Sequence, residues 1–281
     1  MTVEVYAGAW TLKRNQLWVK SSVFFQKTHE QFYSRNTGCP FSHKCDKSGQ
    51  KVPFPFDGES KFTAVFLDIG YGLTDRLELK VQVPFYDIQF TDLSNPERDG
   101  TNDIGDIRFG ARYRFITLPF VATFKVEAKA PTGFFNKEAE VIPIGDGQWD
   151  LELVGQFGRS LYPVTGYLNF DVGYRIRFEP DPQTSTRIPG NEIIFRGEGG
   201  FNVMNNLLLK LAVSGLYSAK FKDEDFTLPD SEREVLYLEP AVFWSVTPAL
   251  ALEAGVQFSL SGKNYPAGEV FSLGVSYTFF K

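Results

Sequence analysis

The chain has 281 residues, 16% of them aromatic and 22% charged, with a formal net charge of −5. Charges of both signs are interspersed with no basic block, which argues against nucleic-acid binding. No uninterrupted apolar stretch reaches the about 20 residues that a membrane-spanning helix needs.

The composition leans toward β structure, with 28 Phe, 12 Tyr and 25 Gly against 2 Met. Mean hydropathy is −0.19. That value does not exclude a membrane, because a barrel strand alternates apolar and polar residues and averages out as polar. Met1 is followed by Thr-Val-Glu-Val, which has neither a basic start nor an apolar core. The chain therefore reads as a mature form whose export signal has been removed.

Residues 1–14 precede the first regular element and are expected in the lumen, at the periplasmic rim or disordered. From residue 15 onward the organising signal is alternation at period two. Leu77, Leu79, Val81, Val83 and Phe85 oppose Glu78, Lys80 and Gln82. Ile107, Phe109, Ala111, Tyr113 and Phe115 oppose Arg108, Arg112 and Arg114. Phe124 and Val126 oppose Lys125, Glu127 and Lys129, while Leu168, Phe170, Val172 and Tyr174 oppose Asn169, Asp171, Arg175 and Arg177. The last run sets Phe271, Leu273, Val275, Tyr277 and Phe279 against Ser272, Gly274, Ser276 and Thr278.

About twelve such runs are predicted, at 16–27, 60–72, 77–90, 104–116, 119–130, 150–160, 166–178, 192–203, 207–219, 233–246, 249–260 and 269–280. Those centred near 65, 155 and 240 alternate less cleanly. Soluble strands average about 5–6 residues, whereas a tilted membrane strand needs about 9–11, and these runs meet the second requirement. The gaps alternate in length. Those at 27–59, 91–103, 131–149, 179–191, 220–232 and 261–268 are long. Those at 73–76, 117–118, 161–165, 204–206 and 247–248 are short and carry turn formers such as Thr74-Asp75-Arg76, Asn205-Asn206 and Thr247-Pro248. The expected fold is all-β: a transmembrane up-and-down antiparallel barrel of about twelve strands over 15–281, with short periplasmic turns and long extracellular loops.

In that fold the charged phase of each strand faces the lumen. The lumen-lining candidates are Lys80, Arg108, Arg112, Arg114, Lys125, Glu127, Lys129, Asp171, Arg175, Arg177, Arg196 and Glu198. Because unpaired charges in low dielectric are costly, these side chains should pair or be hydrated. They read either as a structural salt-bridge network or as the wall of a polar conduit, in which Arg108, Arg112, Arg114, Arg175 and Arg177 would favour anions.

Cys39 and Cys45 flank Pro-Phe-Ser-His-Lys in the first long gap and read first as a disulfide, since an exported protein meets an oxidising compartment. A zinc site on Cys39, His43 and Cys45 lacks an evident fourth ligand, so neither metal nor cofactor is expected, and free thiols are the remaining alternative to the disulfide. His29 and His43 are the only histidines, and no Ser nucleophile stands in an arrangement with His29, so no enzymatic activity is expected. Trp149 and Trp244 are candidates for interfacial girdles.

Several segments resemble a family of bacterial outer-membrane transporters named for the MetA-pathway of phenol degradation. The resemblance rests on Ala9-Trp10-Thr11, Phe24-Phe25-Gln26-Lys27, Ile69-Gly70-Tyr71-Gly72-Leu73-Thr74-Asp75-Arg76-Leu77-Glu78-Leu79, Asp103-Ile104-Gly105-Asp106-Ile107, Ala130-Pro131-Thr132-Gly133 and Ile144-Gly145-Asp146-Gly147-Gln148-Trp149-Asp150. It implies a Gram-negative outer-membrane barrel passing hydrophobic or aromatic compounds. The aromatic-ended last strand is similar to the element that the barrel assembly machinery recognises, although Phe280 and Lys281 follow it.

The expected function is passive passage of a small solute. The alternative is a non-conducting barrel that anchors the envelope or a partner. Expected surroundings are outer-membrane lipid and lipopolysaccharide, and the assembly machinery during biogenesis.

Overall fold

The computed structural model describes residues 8–33, 49–94, 101–135, 142–182, 185–224 and 226–280. Period-two alternation closes here into a single antiparallel barrel of 12 strands. In chain order these are β1 (Leu17–Thr28), β2 (Glu59–Gly72), β3 (Leu77–Thr91), β4 (Arg108–Ile116), β5 (Val121–Lys129) and β6 (Asp150–Ser160). They continue as β7 (Gly166–Arg177), β8 (Glu192–Met204), β9 (Leu207–Ser218), β10 (Glu234–Ser245), β11 (Leu250–Lys263) and β12 (Glu269–Phe279). Each strand pairs with its sequence neighbours, and β12 returns to β1 with Leu17 opposite Phe279 and Phe25 opposite Phe271. Closure leaves no strand edge, the condition for backbone to cross hydrocarbon.

The short connections use local chemistry that the sequence announces. The Thr74 hydroxyl accepts from the Arg76 and Leu77 amides at 3.2 and 2.9 Å, and the Thr247 hydroxyl accepts from Ala249 and Leu250 at 3.2 and 2.9 Å. Two departures from the predicted boundaries follow from specific residues. Residues Thr101–Ile104 form a separate short strand against β3, so β4 begins at Arg108 and not at 104. The chain breaks there because Gly105, packed under Tyr86, and Asp106 leave the ladder. Strand β11 runs on to Lys263, so the connection expected to be long at 261–268 is the turn 264–268, entered at Asn264 with φ 56°. The other five connections on that rim remain longer.

The exterior is apolar. Leu79, Val81, Phe85, Phe109, Tyr113, Phe115, Leu168, Phe170, Leu273 and Phe279 are all exposed. A continuous exposed apolar belt on this scale marks a lipid-facing surface. The phase between them is buried or half-buried and polar, with Glu78, Arg112, Thr123, Lys129, Glu152, Asn169 and Arg177 all buried. Trp149 at the long-loop end and Trp244 at the short-turn end are exposed on the outer face, the positions expected of girdle residues.

The weak alternation near 65, 155 and 240 has a direct cause: these strands also carry apolar residues inward. Phe62, Ala64 and Phe66 on β2, Val154 on β6, and Val235, Ala241 and Phe243 on β10 share the inward phase with charged neighbours. Ala64 and Val154 are 0% and 3% exposed.

Candidate functional site

The lumen is divided unevenly. Its β3–β8 side is filled with an ion-pair network. Arg108 meets Glu127 at 3.2 Å and Glu152 at 3.6 Å, and Lys125 meets Glu152 at 2.7 Å and Glu127 at 3.5 Å. Arg175 bridges Glu152 at 2.8 Å and Glu192 at 2.5 Å. Arg177 contacts Glu192 at 3.2 Å, Asp146 at 3.1 Å and Asp150 at 3.6 Å. Lys129 contacts Asp106, Asp146 and Asp150 at 2.8, 2.7 and 3.2 Å. Further round, Arg196 bridges Glu198 at 3.1 Å and Glu239 at 2.5 Å.

Most of the twelve lumen candidates therefore enter this network. Asp171 instead accepts from Gln156 and Asn169, both at 2.9 Å. The Lys80 ammonium lies 6.0 Å from the Trp18 ring centre. Arg114 donates to the Asp75 carbonyl at 2.6 Å, so it braces a short turn. The proposed anion-favouring wall of Arg108, Arg112, Arg114, Arg175 and Arg177 needs correction on this geometry. Four of its guanidiniums face carboxylates within 4 Å, which compensate their charge locally, and the fifth, Arg114, is turned to a backbone carbonyl at the short-turn rim.

On the opposite side, several inward residues of β9 to β12 are small: Ser214, Ala241, Gly255, Ser272 and Gly274. They leave a cavity of about 260 Å³ bordered by Lys20, Ser22, Phe24, Lys210, Glu253 and Gln257 among others. Glu253 holds both Lys20 and Lys210 at 2.6 Å, spanning strands that are not neighbours. Beside this cavity runs an aromatic strip. Phe24 meets Phe66 edge-on at 5.4 Å, Phe66 meets Tyr86 edge-on at 5.9 Å, and Tyr86 meets Phe62 at 5.9 Å. Sequence reasoning passed over these four residues. Their signal was the phase they occupy, the same as Lys20, Asp68 and Gln82, which a search for charged lumen residues skips.

The two mouths differ. Residues 8–16 cross the short-turn mouth as a strap. Its Leu12 amide donates to Glu78 at 2.8 Å, and its Ala9 amide donates to Asn169 at 2.9 Å. Arg112 donates to the Trp10 carbonyl at 2.9 Å, donates also to the Gly8 carbonyl, and pairs with Glu78 at 3.3 Å. Thr123 donates to the Ala9 carbonyl. Trp10 packs edge-on to Tyr167 at 5.9 Å, next to Leu208 and Phe243. Two glycines make room: a Cβ at Gly72 would lie 2.0 Å from the Lys13 carbonyl oxygen, and one at Gly158 would lie 2.6 Å from the Trp10 ring.

At the long-loop mouth, Gln31 bridges Pro266, and the Phe32 amide donates to the Tyr265 carbonyl at 2.8 Å. Arg233 pairs with Glu192 at 2.8 Å and stacks near Phe221 and Tyr265. His29 stands at this rim, 56% exposed and 3.2 Å from Glu59. Cys39, His43 and Cys45 lie outside the described residues, as do residues 1–7.

Asp146 ties the loop between β5 and β6 to the barrel, since it holds Lys129 and Arg177 while its amide donates to Asp106 at 3.0 Å. Burial opposes ionisation of this carboxyl, but Lys129 and Arg177 outweigh it and hold the pKa at about 2. A depressed carboxylate pKa contributes stability that is complete above the ordinary value of about 3.9 and is lost only as pH falls through the folded value. The Asp146 latch is therefore expected to hold from neutral pH down to about 4. Asp146→Asn should loosen this end of the loop already at pH 7, raising amide hydrogen exchange at Ile144, Gly145 and Asp146 severalfold while the wild type stays protected across that pH range.

A family profile described as "Putative MetA-pathway of phenol degradation" matches residues 58–275. No curated protein matches the sequence. The crystal structure of the COG4313 outer membrane channel from Pseudomonas putida F1 superposes with a TM-score of 0.75 at 17% identity, covering 98% of this chain and 100% of that one. The translocator domain of autotransporter NalP from Neisseria meningitidis gives 0.52 at 8% identity, covering 95% and 90%. The transport unit of the autotransporter AIDA-I from Escherichia coli gives 0.52 at 6% identity, covering 100% and 95%. At these identities the likeness is one of fold.

Proposed function

Because the chain belongs to the MetA-pathway of phenol degradation family and folds as a closed barrel with an apolar exterior, we propose that it is an integral outer-membrane channel for passive passage of a small solute. The observation that carries this reading is the unfilled cavity of about 260 Å³ on the β9–β12 side of the lumen, which the side chains could have filled and do not. The Phe24, Phe66, Tyr86 and Phe62 strip supports a solute with aromatic or hydrophobic surface, since rings stack edge-on and offset against such walls. Nothing in this role calls for catalysis.

A non-conducting anchor is the second reading, favoured by the dense network on the β3–β8 side, which braces the wall without needing a path. Purified protein in a planar bilayer decides between the two. The channel reading expects small unitary currents that shorten when an aromatic solute is added to one side. A membrane that stays electrically silent, with no solute flux into vesicles, would favour the anchor.

A further inference from the structure

Outward positions on a membrane barrel are expected to carry bulky apolar side chains, yet β8 presents Gly197 and Gly199 between Phe195 and Phe201. A Cβ added at Gly197 would meet nothing within 4 Å, and one at Gly199 would meet Leu168 at 3.4 Å and the Tyr167 carbonyl oxygen at 4.0 Å, both ordinary contacts. The missing side chains leave an open groove of about 470 Å³ on the outer wall, flanked by Phe120, Phe157, Leu168 and Phe170. It lies in the half of the barrel next to the short turns 161–165 and 205–206. Arg159 sits on its border, outward-facing and exposed, and makes no ion pair among the described residues. A guanidinium at that depth needs a polar partner at the membrane surface, and Arg side chains reach toward the headgroup layer to find one.

We propose that this groove is a phospholipid site of the periplasmic leaflet, with one acyl chain lying over Gly197 and Gly199 and the lipid phosphate held by Arg159. The inference rests on the membrane residence proposed above. The two halves of the site fit one molecule. The groove is apolar and would otherwise forfeit dispersion contacts along its floor. Of the two charged residues on its border, Glu198 turns its carboxylate inward to Tyr167 and Arg196, which leaves the Arg159 guanidinium as the charge facing the membrane, the complement of a phosphate. A lipid held here would sit directly behind the strap, since Gly158 on the inner side of the same wall packs against Trp10.

The test is native mass spectrometry of the detergent-purified full chain incubated with dioleoylphosphatidylglycerol. The wild type is expected to keep one lipid at collision energies that strip the rest. Gly197→Leu fills open space without a clash and should lose that lipid. Arg159→Ala should lose it as well, and Arg159→Lys should restore part of the retention. Heat-modifiable migration on gels reports that each variant still forms the barrel. Equal retention by Gly197→Leu and the wild type, or no retained lipid in a folded wild type, would overturn the site. Retention lost in Gly197→Leu but unchanged in Arg159→Ala would also overturn it, as an acyl groove without headgroup recognition. Failure of these lipid measurements leaves the bilayer currents untouched, so the two readings fail separately.

Discussion

Replacing Arg112 with Met should open the periplasmic mouth and raise unitary conductance severalfold. Arg112 ties the wall to the strap at two carbonyls. It carries the Gly8 and Trp10 carbonyls and pairs with Glu78, which in turn holds the Leu12 amide. Arg112 and Glu78 side chains are 7% and 4% exposed, so removing one partner strands a buried charge. Breaking such a pair typically costs about 3–5 kcal/mol.

The double variant Arg112→Met with Glu78→Gln removes both charges and should recover most of that loss, because the unpaired carboxylate is gone. It should not recover closure, because the Gly8 and Trp10 carbonyls have lost their donor. Urea unfolding in detergent gives the stability, and bilayer recording gives the conductance. If the single and double variants conduct like the wild type, the strap is not a barrier to solute.

The second large effect is expected at Glu152. Its carboxylate accepts from Lys125 and Arg175 and lies within 3.6 Å of Arg108, while its own side chain is 5% exposed. Glu152→Gln keeps the shape and removes the charge. Glu127 and Glu192 still cover part of the three cations, so the stability loss should fall near the lower end, about 3 kcal/mol. What remains is a positively biased wall, and ion preference should move toward anions in reversal potentials measured across a salt gradient. This is the anion wall that the sequence suggested, created only when its counter-charge is removed. A reversal potential unchanged from the wild type would place the network outside the ion path and leave it a purely structural brace.

Much of the barrel was legible before any coordinates. Leu77 to Phe85 shows why: alternation and strand length are properties of a single strand, and the pleat turns them directly into an oily face and a charged face. The turns were legible for a similar reason, since Thr74 and Thr247 act on amides two and three residues ahead. The boundary at β4 was harder, because the alternating pattern continues through Ile104 while the chain itself leaves the ladder at Gly105 and Asp106.

The candidate site was legible only as a list. Phase alone proposes twelve lumen candidates, but it does not name their partners. Lys20 meets Glu253 across 233 positions, and Arg112 meets Trp10 across 102. Which charges meet depends on the stagger of the closed barrel and on where the strap crosses, and neither is a local property. That is why the Arg set looked like an anion wall in sequence, while four of its five members meet carboxylates in the fold. The aromatic strip was hidden by the same limit, since Phe24, Phe66 and Tyr86 come together from three strands and no one strand shows them as a surface.

The sequence by itself determined that this chain alternates, that its strands are long enough to cross a bilayer, where the tight turns fall and which phase carries charge. Backbone pleating and turn hydrogen bonds act within a few residues, so those features are already present in the chain. Only the tertiary structure decided that one side of the lumen is packed and the other open, that residues 8–16 cross the mouth, and that Gly197 and Gly199 leave a groove outside. Each depends on closure, which brings remote strands into register and turns vacant positions into space.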